Sequence, residues 1–141
     1  MFGSMLNTLR GYRRVFLPLE DGILAAVRSS LPEQVHSAFD DRLARINMIQ
    51  PILGCQEVNL YERRKGVILF PASSRILSTD DSVRIATVEF SSSDPMSRLK
   101  VRLHCGRGVL TSFQFDRPSE HAELENVMAM KVRLVPELPW A

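Results

Sequence analysis

The residues whose types could do chemistry are three histidines, two cysteines, a few adjacent acids and one glycine pair. His36, His104 and His121 stand alone, without a C-x-x-C or H-x-x-x-H spacing. Such spacings put ligands on one side of a zinc ion, so no metal site is assigned and no cofactor is implied. His104 and Cys105 are neighbours, but adjacent residues on a strand point to opposite faces and cannot form a thiolate–imidazole pair. Cys105 reads instead as a small buried apolar residue. Asp40-Asp41 and Asp80-Asp81 are also neighbours, and neighbours on a helix do not face each other. The first pair reads as a solvated helix face, the second as a turn. Gly106-Arg107-Gly108 lacks a third glycine and precedes a strand pattern, whereas a phosphate cradle opens a helix. Glu89 lies in the apolar run Ala86–Phe90, but alternation with Val88 turns it toward solvent. With no serine in a nucleophile elbow, no catalytic residue is assigned, and the reading leans away from an enzyme.

The elements that must position these residues divide by period. Leu19, Ile23, Leu24, Val27 and Leu31 recur at helical spacing and form one apolar stripe. Ser30 and Glu33 fit a capping box with Pro32 in the first turn. That box predicts a second helix through Val35, Phe39, Leu43, Ile46 and Ile49 or Gln50, stopping before Pro51. Asp40, Asp41, Arg42 and Arg45 are expected mainly on its solvent side. From Gln56 the period becomes two. Glu57–Glu62 and Val67–Phe70 read as strands around the loop Arg63-Arg64-Lys65-Gly66. Residues 71–82 read as loop and Val83–Ser91 as a strand. Leu99, Val101, Leu103 and Cys105 alternate with Lys100, Arg102 and His104. After the glycine turn, Val109, Thr111, Phe113 and Phe115 are expected on one face and Leu110, Ser112 and Gln114 on the other. Met128, Met130, Val132 and Leu134 alternate with Ala129, Lys131 and Arg133.

Helices followed by strands joined through short connections predict an α+β fold. Its N-terminal helices should pack on one face of a five- or six-stranded, mainly antiparallel meander. The 141 residues, 45% apolar and 24% charged, suit a single domain. It divides into a lead-in (1–18), two helices (19–50), the sheet (56–135) and a tail (136–141). The lead-in holds Arg10, Arg13 and Arg14 and no acid. It loosely resembles a transit segment, but is read as a short helix or lead-in strand. No apolar run exceeds five residues, so no membrane span is expected. Two cysteines form no disulfide framework, although a single bridge remains open. A reducing cytoplasmic location is the expectation.

If the last strands are neighbours, Lys100, Arg102, His104, Lys131 and Arg133 share a basic outer face with Ser112 and Gln114. That face carries no stacking aromatics on those strands and the net charge is only +2, which argues against nucleic acid. The hairpin Leu-Lys-Val-Arg-Leu-His-Cys-Gly-Arg-Gly-Val-Leu-Thr-Ser-Phe-Gln-Phe-Asp-Arg-Pro, Leu99–Pro118, resembles that of small uncharacterised bacterial α+β proteins. Some of these are immunity proteins encoded beside toxins. Gln114 stands where they often carry glutamate, and no binding residue is carried over. The resemblance implies a non-catalytic interaction domain, and the face suggests an acidic protein partner. The alternative is a small ligand-binding or enzyme module. Its pocket, between curved sheet and helices, would be lined by Phe113, Phe115, Met128 and Met130, with Glu89 or His104 as the polar group.

Overall fold

A computed structural model describes residues 11–141; readings of residues 1–10 lie outside the described part. Helix α1 (Pro18–Ser30) and helix α2 (His36–Arg45) precede eight strands. These are β1 (Met48–Ile52), β2 (Glu57–Tyr61), β3 (Arg63–Arg64), β4 (Val67–Ile68), β5 (Val83–Ser91), β6 (Lys100–Gly106), β7 (Val109–Phe115) and β8 (Ala129–Leu134). Six strands form one antiparallel sheet in the order β1-β2-β7-β6-β5-β8, and β3-β4 is a separate hairpin. The predicted α+β architecture is therefore present. The strand order is not sequential, because β2 pairs with β7 and β8 pairs with β5.

The apolar stripe of α1 (Leu19, Ile23, Leu24, Val27) and Phe39 of α2 share one core with Val88, Val101, Leu103, Cys105, Phe113 and Phe115. That core lies on one side of the sheet. Among the described residues no helix packs on the opposite side.

The second helix is shorter than the sequence predicts. It ends at Arg45, and Met48–Ile52 is the edge strand β1. Ile46 and Ile49 are buried as expected, but a short apolar run at spacing three also fits a strand after a turn. Ile49 exchanges two backbone hydrogen bonds of 2.7 Å with Arg13 of the lead-in. Pro51 is tolerated because edge strands admit proline. The Ser30–Glu33 capping box does not form. Ser30 Oγ donates back to Ala26 O at 3.4 Å, and Glu33 sits in a 3-10 turn, Glu33–Val35. A one-sided cap forms at α1 instead, where buried Glu20 accepts from Leu17 N and from both Nη groups of Arg13.

Arg42 overturns its solvent-side assignment, since it is only 1% exposed. It lies three residues beyond Phe39 and four before Ile46, on the buried side of the helix. Its Nε donates to Leu110 O at 2.9 Å and its Nη2 to Leu60 O at 3.2 Å. Burial pulls its pKa down to about 10, against the opposing field of Glu62. Fully buried Glu62 also meets Arg64 at 3.1 Å and Arg45 at 3.5 Å.

Leu110 is a second correction. Cys105 pairs with Leu110 and His104 with Ser112, so Thr111 is the extra residue of a bulge. A bulge shifts alternation by one, which turns Leu110 into the core with Phe113. Asp40 and Asp41 are tied into the structure instead of simply hydrated. Asp40 bonds Arg28 of α1 at 2.7 and 2.8 Å. Asp41 accepts from Ser73, Ser74 and Arg45, fastening the loop after β4 to α2.

Candidate functional site: a basic sheet face

Register builds the face opposite the core row by row. One row runs Lys131–Glu89–Lys100 and the next Arg133–Thr87–Arg102–Gln114–Glu57. A third runs Arg84–His104–Ser112–Asn59–Gln50. The structure thus brings Lys100, Arg102, His104, Lys131 and Arg133 onto one surface. It also inserts β5 between β6 and β8, so the cations do not lie in one uninterrupted block.

Glu89 is the residue that β5 contributes at the centre. Its carboxylate meets Lys100 Nζ at 3.2 Å and Arg133 Nη2 at 3.4 Å. The hydrogen bond from Lys100 is the main reason its pKa falls below the usual carboxylate range. Arg84, Arg102 and Lys131 make no ion pair among the described residues. Arg84, Thr87, Glu89, Lys100, Arg102 and Arg133 line a shallow depression of about 320 Å³.

His104 is half-buried between these arginines. Burial first, then Arg84 and Arg102, push its pKa below the ordinary histidine value, with Glu57 opposing. It is therefore mainly neutral at pH 7 and supplies shape and a hydrogen-bonding ring, not charge. Its Nδ1 is buried without a hydrogen-bond partner among the described residues.

Arg84 is the member of the face that alternation alone misses. The signal was Ile85-Ala86, two apolar residues in succession, and the register does shift between Arg84 and Ala86. With Ile85 absorbed by the bulge, Arg84 returns to the outer face opposite His104. Tyr61, paired opposite Met48 at the far end, adds one aromatic to the face.

The alternative pocket is not assembled. Phe113 and Phe115 are 0% and 5% exposed and point into the core, while Glu89 lies on the other side of the sheet. Met130 is half-buried at the β8 edge, and Met128 is 76% exposed. The larger concavity, about 520 Å³, lies elsewhere, between Leu17, Pro18 and Leu19 and the segment Ala122–Glu125. The neighbouring carboxyl group of Glu125 raises the pKa of Glu123, with burial and Asp94 adding to the effect.

Both cysteines are free. Cys105 is completely buried, and burial drives its thiol up to about 12 despite the field of Arg42. Among the described residues no group of three histidine, cysteine or acidic side chains is placed to hold a metal ion. None of their helices is long and apolar enough to cross a membrane. What the face can do chemically is present cations, among them Arg84 and Arg102, whose planar donors make no ion pair among the described residues, to an anionic surface. No known protein family, curated protein or solved structure matches this chain.

Proposed function

We propose that this protein is a non-catalytic interaction domain that docks an acidic protein surface on its basic sheet face. The observation that carries the reading is the set Arg84, Arg102 and Lys131, exposed cations that make no ion pair among the described residues, flanked by Lys100 and Arg133. Held on a sheet, their backbones lose no freedom on docking, and complementary charge raises association rate and specificity. Stacking aromatics are missing from the cationic rows, which favours protein over single-stranded nucleic acid. The finer reading is an immunity-type bacterial protein, acting in the cytoplasm, that neutralises a partner by covering its working surface.

The test is titration of this protein with the product of the adjacent gene, using the combined variant Lys100→Glu, Arg102→Glu, Lys131→Glu and Arg133→Glu. Wild type should bind with an affinity that falls as salt is added. The fourfold reversal should weaken binding by at least about a hundredfold. Unchanged affinity in a folded fourfold variant would remove this face as the docking surface.

A further inference from the structure

The two edges of the main sheet are treated differently. At the β1 edge, Arg13 N donates to Ile49 O and Ile49 N to Arg13 O, each at 2.7 Å, so the lead-in segment covers that edge. At the other edge, β8 pairs with β5 from Ala129 to Leu134. Val135 N donates to Ile85 O at 2.9 Å. Alternation then sends the N–H and C=O groups of Arg133 and Lys131 toward β5. Those of Met130, Val132 and Leu134 point away from the sheet. Among the described residues none of these outward groups has a backbone partner. An uncovered edge is a template for another strand.

We infer that β8 is a strand-addition site for an extended segment of the acidic partner, with acidic and apolar residues in alternation. This rests on the reading of the basic face and says how a partner would be held there. The charge pattern selects the occupant. Lys131 and Arg133 project from β8 onto the basic face, so a strand laid beside β8 places alternate side chains opposite them. Carboxylates there would extend the row in which Glu89 already sits between Lys131 and Lys100. On the other side of the added strand, side chains meet the half-buried row Met130, Val132 and Leu134. That apolar surface continues past Gly22, where Met130 Cε and Leu124 Cδ1 both approach.

A second copy of this chain is a poor occupant. In every two-fold antiparallel register that preserves the faces and pairs Lys131 or Arg133 with a residue of β8, that residue is Lys131, Arg133 or Ala129. No such pairing supplies a carboxylate, and like charges directly opposite are destabilising.

The experiment uses an eight-residue peptide alternating glutamate and valine, with a lysine–valine peptide as control. Amide hydrogen exchange is followed on the full chain. The glutamate peptide should slow exchange at Met130, Val132 and Leu134 by about tenfold or more, and the lysine peptide should not. Val132→Pro removes an outward N–H that no β5 group uses, a position where edge strands accept proline. It should weaken the peptide about tenfold. Because proline could disturb packing, the exchange result on the wild-type chain stands as the independent measurement. Binding that depends on Lys100 and Arg102 without protection of the three amides would overturn the strand-addition site and leave the basic face standing. Equal binding of both peptides, no binding of the glutamate peptide, or concentration-dependent pairing of β8 with itself would also overturn it. The fourfold charge reversal with the natural partner tests the face separately.

Discussion

Two glycines with nearly the same backbone angle separate a conformational cost from a steric one. Gly66 has φ +79° in the β3-β4 turn, and a Cβ built there meets nothing within 4 Å. Gly108 has φ +82° in the β6-β7 turn, but its Cβ would lie 2.6 Å from Leu77 O and 2.8 Å from Arg75 Nε. Alanine in the left-handed region costs about 1–2 kcal/mol, partly offset because alanine also restricts the unfolded chain. Gly66→Ala should therefore cost about 1 kcal/mol. At Gly108 the same term is joined by the displacement of backbone. The obstructing segment cannot easily retreat, because Ile76 N and Leu77 N both donate to Gly108 O, at 2.8 and 3.2 Å. Ile76 and Leu77 are themselves 1% and 0% exposed. Overpacking of this kind costs about 1–3 kcal/mol, which brings Gly108→Ala to about 2–4 kcal/mol. For a chain of this length that is a loss of about 7–14 °C in Tm, against about 3 °C for Gly66→Ala. Urea unfolding of both variants, followed by circular dichroism, measures the difference directly. If the two destabilisations agree within about 0.5 kcal/mol, the close approach of Leu77 to the turn is not energetically real and the reasoning fails.

Other outcomes follow from the buried and paired charges. Glu62→Ala would strand the buried Arg42 without its nearest carboxylate field. It should cost about 3–5 kcal/mol in urea unfolding, as removing one partner of a buried charge cluster does. Cys105 has its folded thiol pKa raised by burial to about 12, above the ordinary value of 9.0. Its contribution to stability is present below pH 9.0 and is lost as pH rises toward 12, since only the unfolded chain then releases the proton. Cys105→Ala should flatten that part of the alkaline stability profile, and iodoacetamide should label Cys105 only on unfolding. Glu89→Gln removes the carboxylate held between Lys100 and Arg133. It should raise the association rate with an acidic partner a few-fold and steepen its salt dependence, measured by stopped-flow.

Much of the layout was legible because period and turn chemistry are local. The alternation around Leu99–Cys105 marked a strand with Lys100 and Arg102 facing out, and Lys65-Gly66 and Arg107-Gly108 marked reversals. Both turns carry positive φ at each central residue. The outer face was legible as a set of residues for the same reason. Local pattern did not reveal its neighbours. Nothing in the segments themselves says that β5 would slide between β6 and β8, and that choice puts Glu89 among the cations. Arg84 was concealed by a one-residue bulge, which shifts the facing of the residues before it relative to the alternation read from Ala86 onward.

The sequence by itself determined the two periods, the apolar sides of α1 and of the strands, the tight turns and the sign of the charge on the outer face. Each of these follows from residues within a few positions of one another. Only the tertiary structure decided where β1 replaces a predicted helical end, which strands are neighbours, and which edge has no further strand among the described residues. It alone decided that Arg42 is interred while Arg102 is not. Arg42 stands on a helix and Arg102 on a strand, but what holds a buried guanidinium lies far along the chain. The carbonyls of Leu60 and Leu110 receive the one, and an open depression between strands leaves the other in solvent. Long-range hydrogen-bond acceptors and strand pairing are properties of the assembled fold, so no window of sequence contains them.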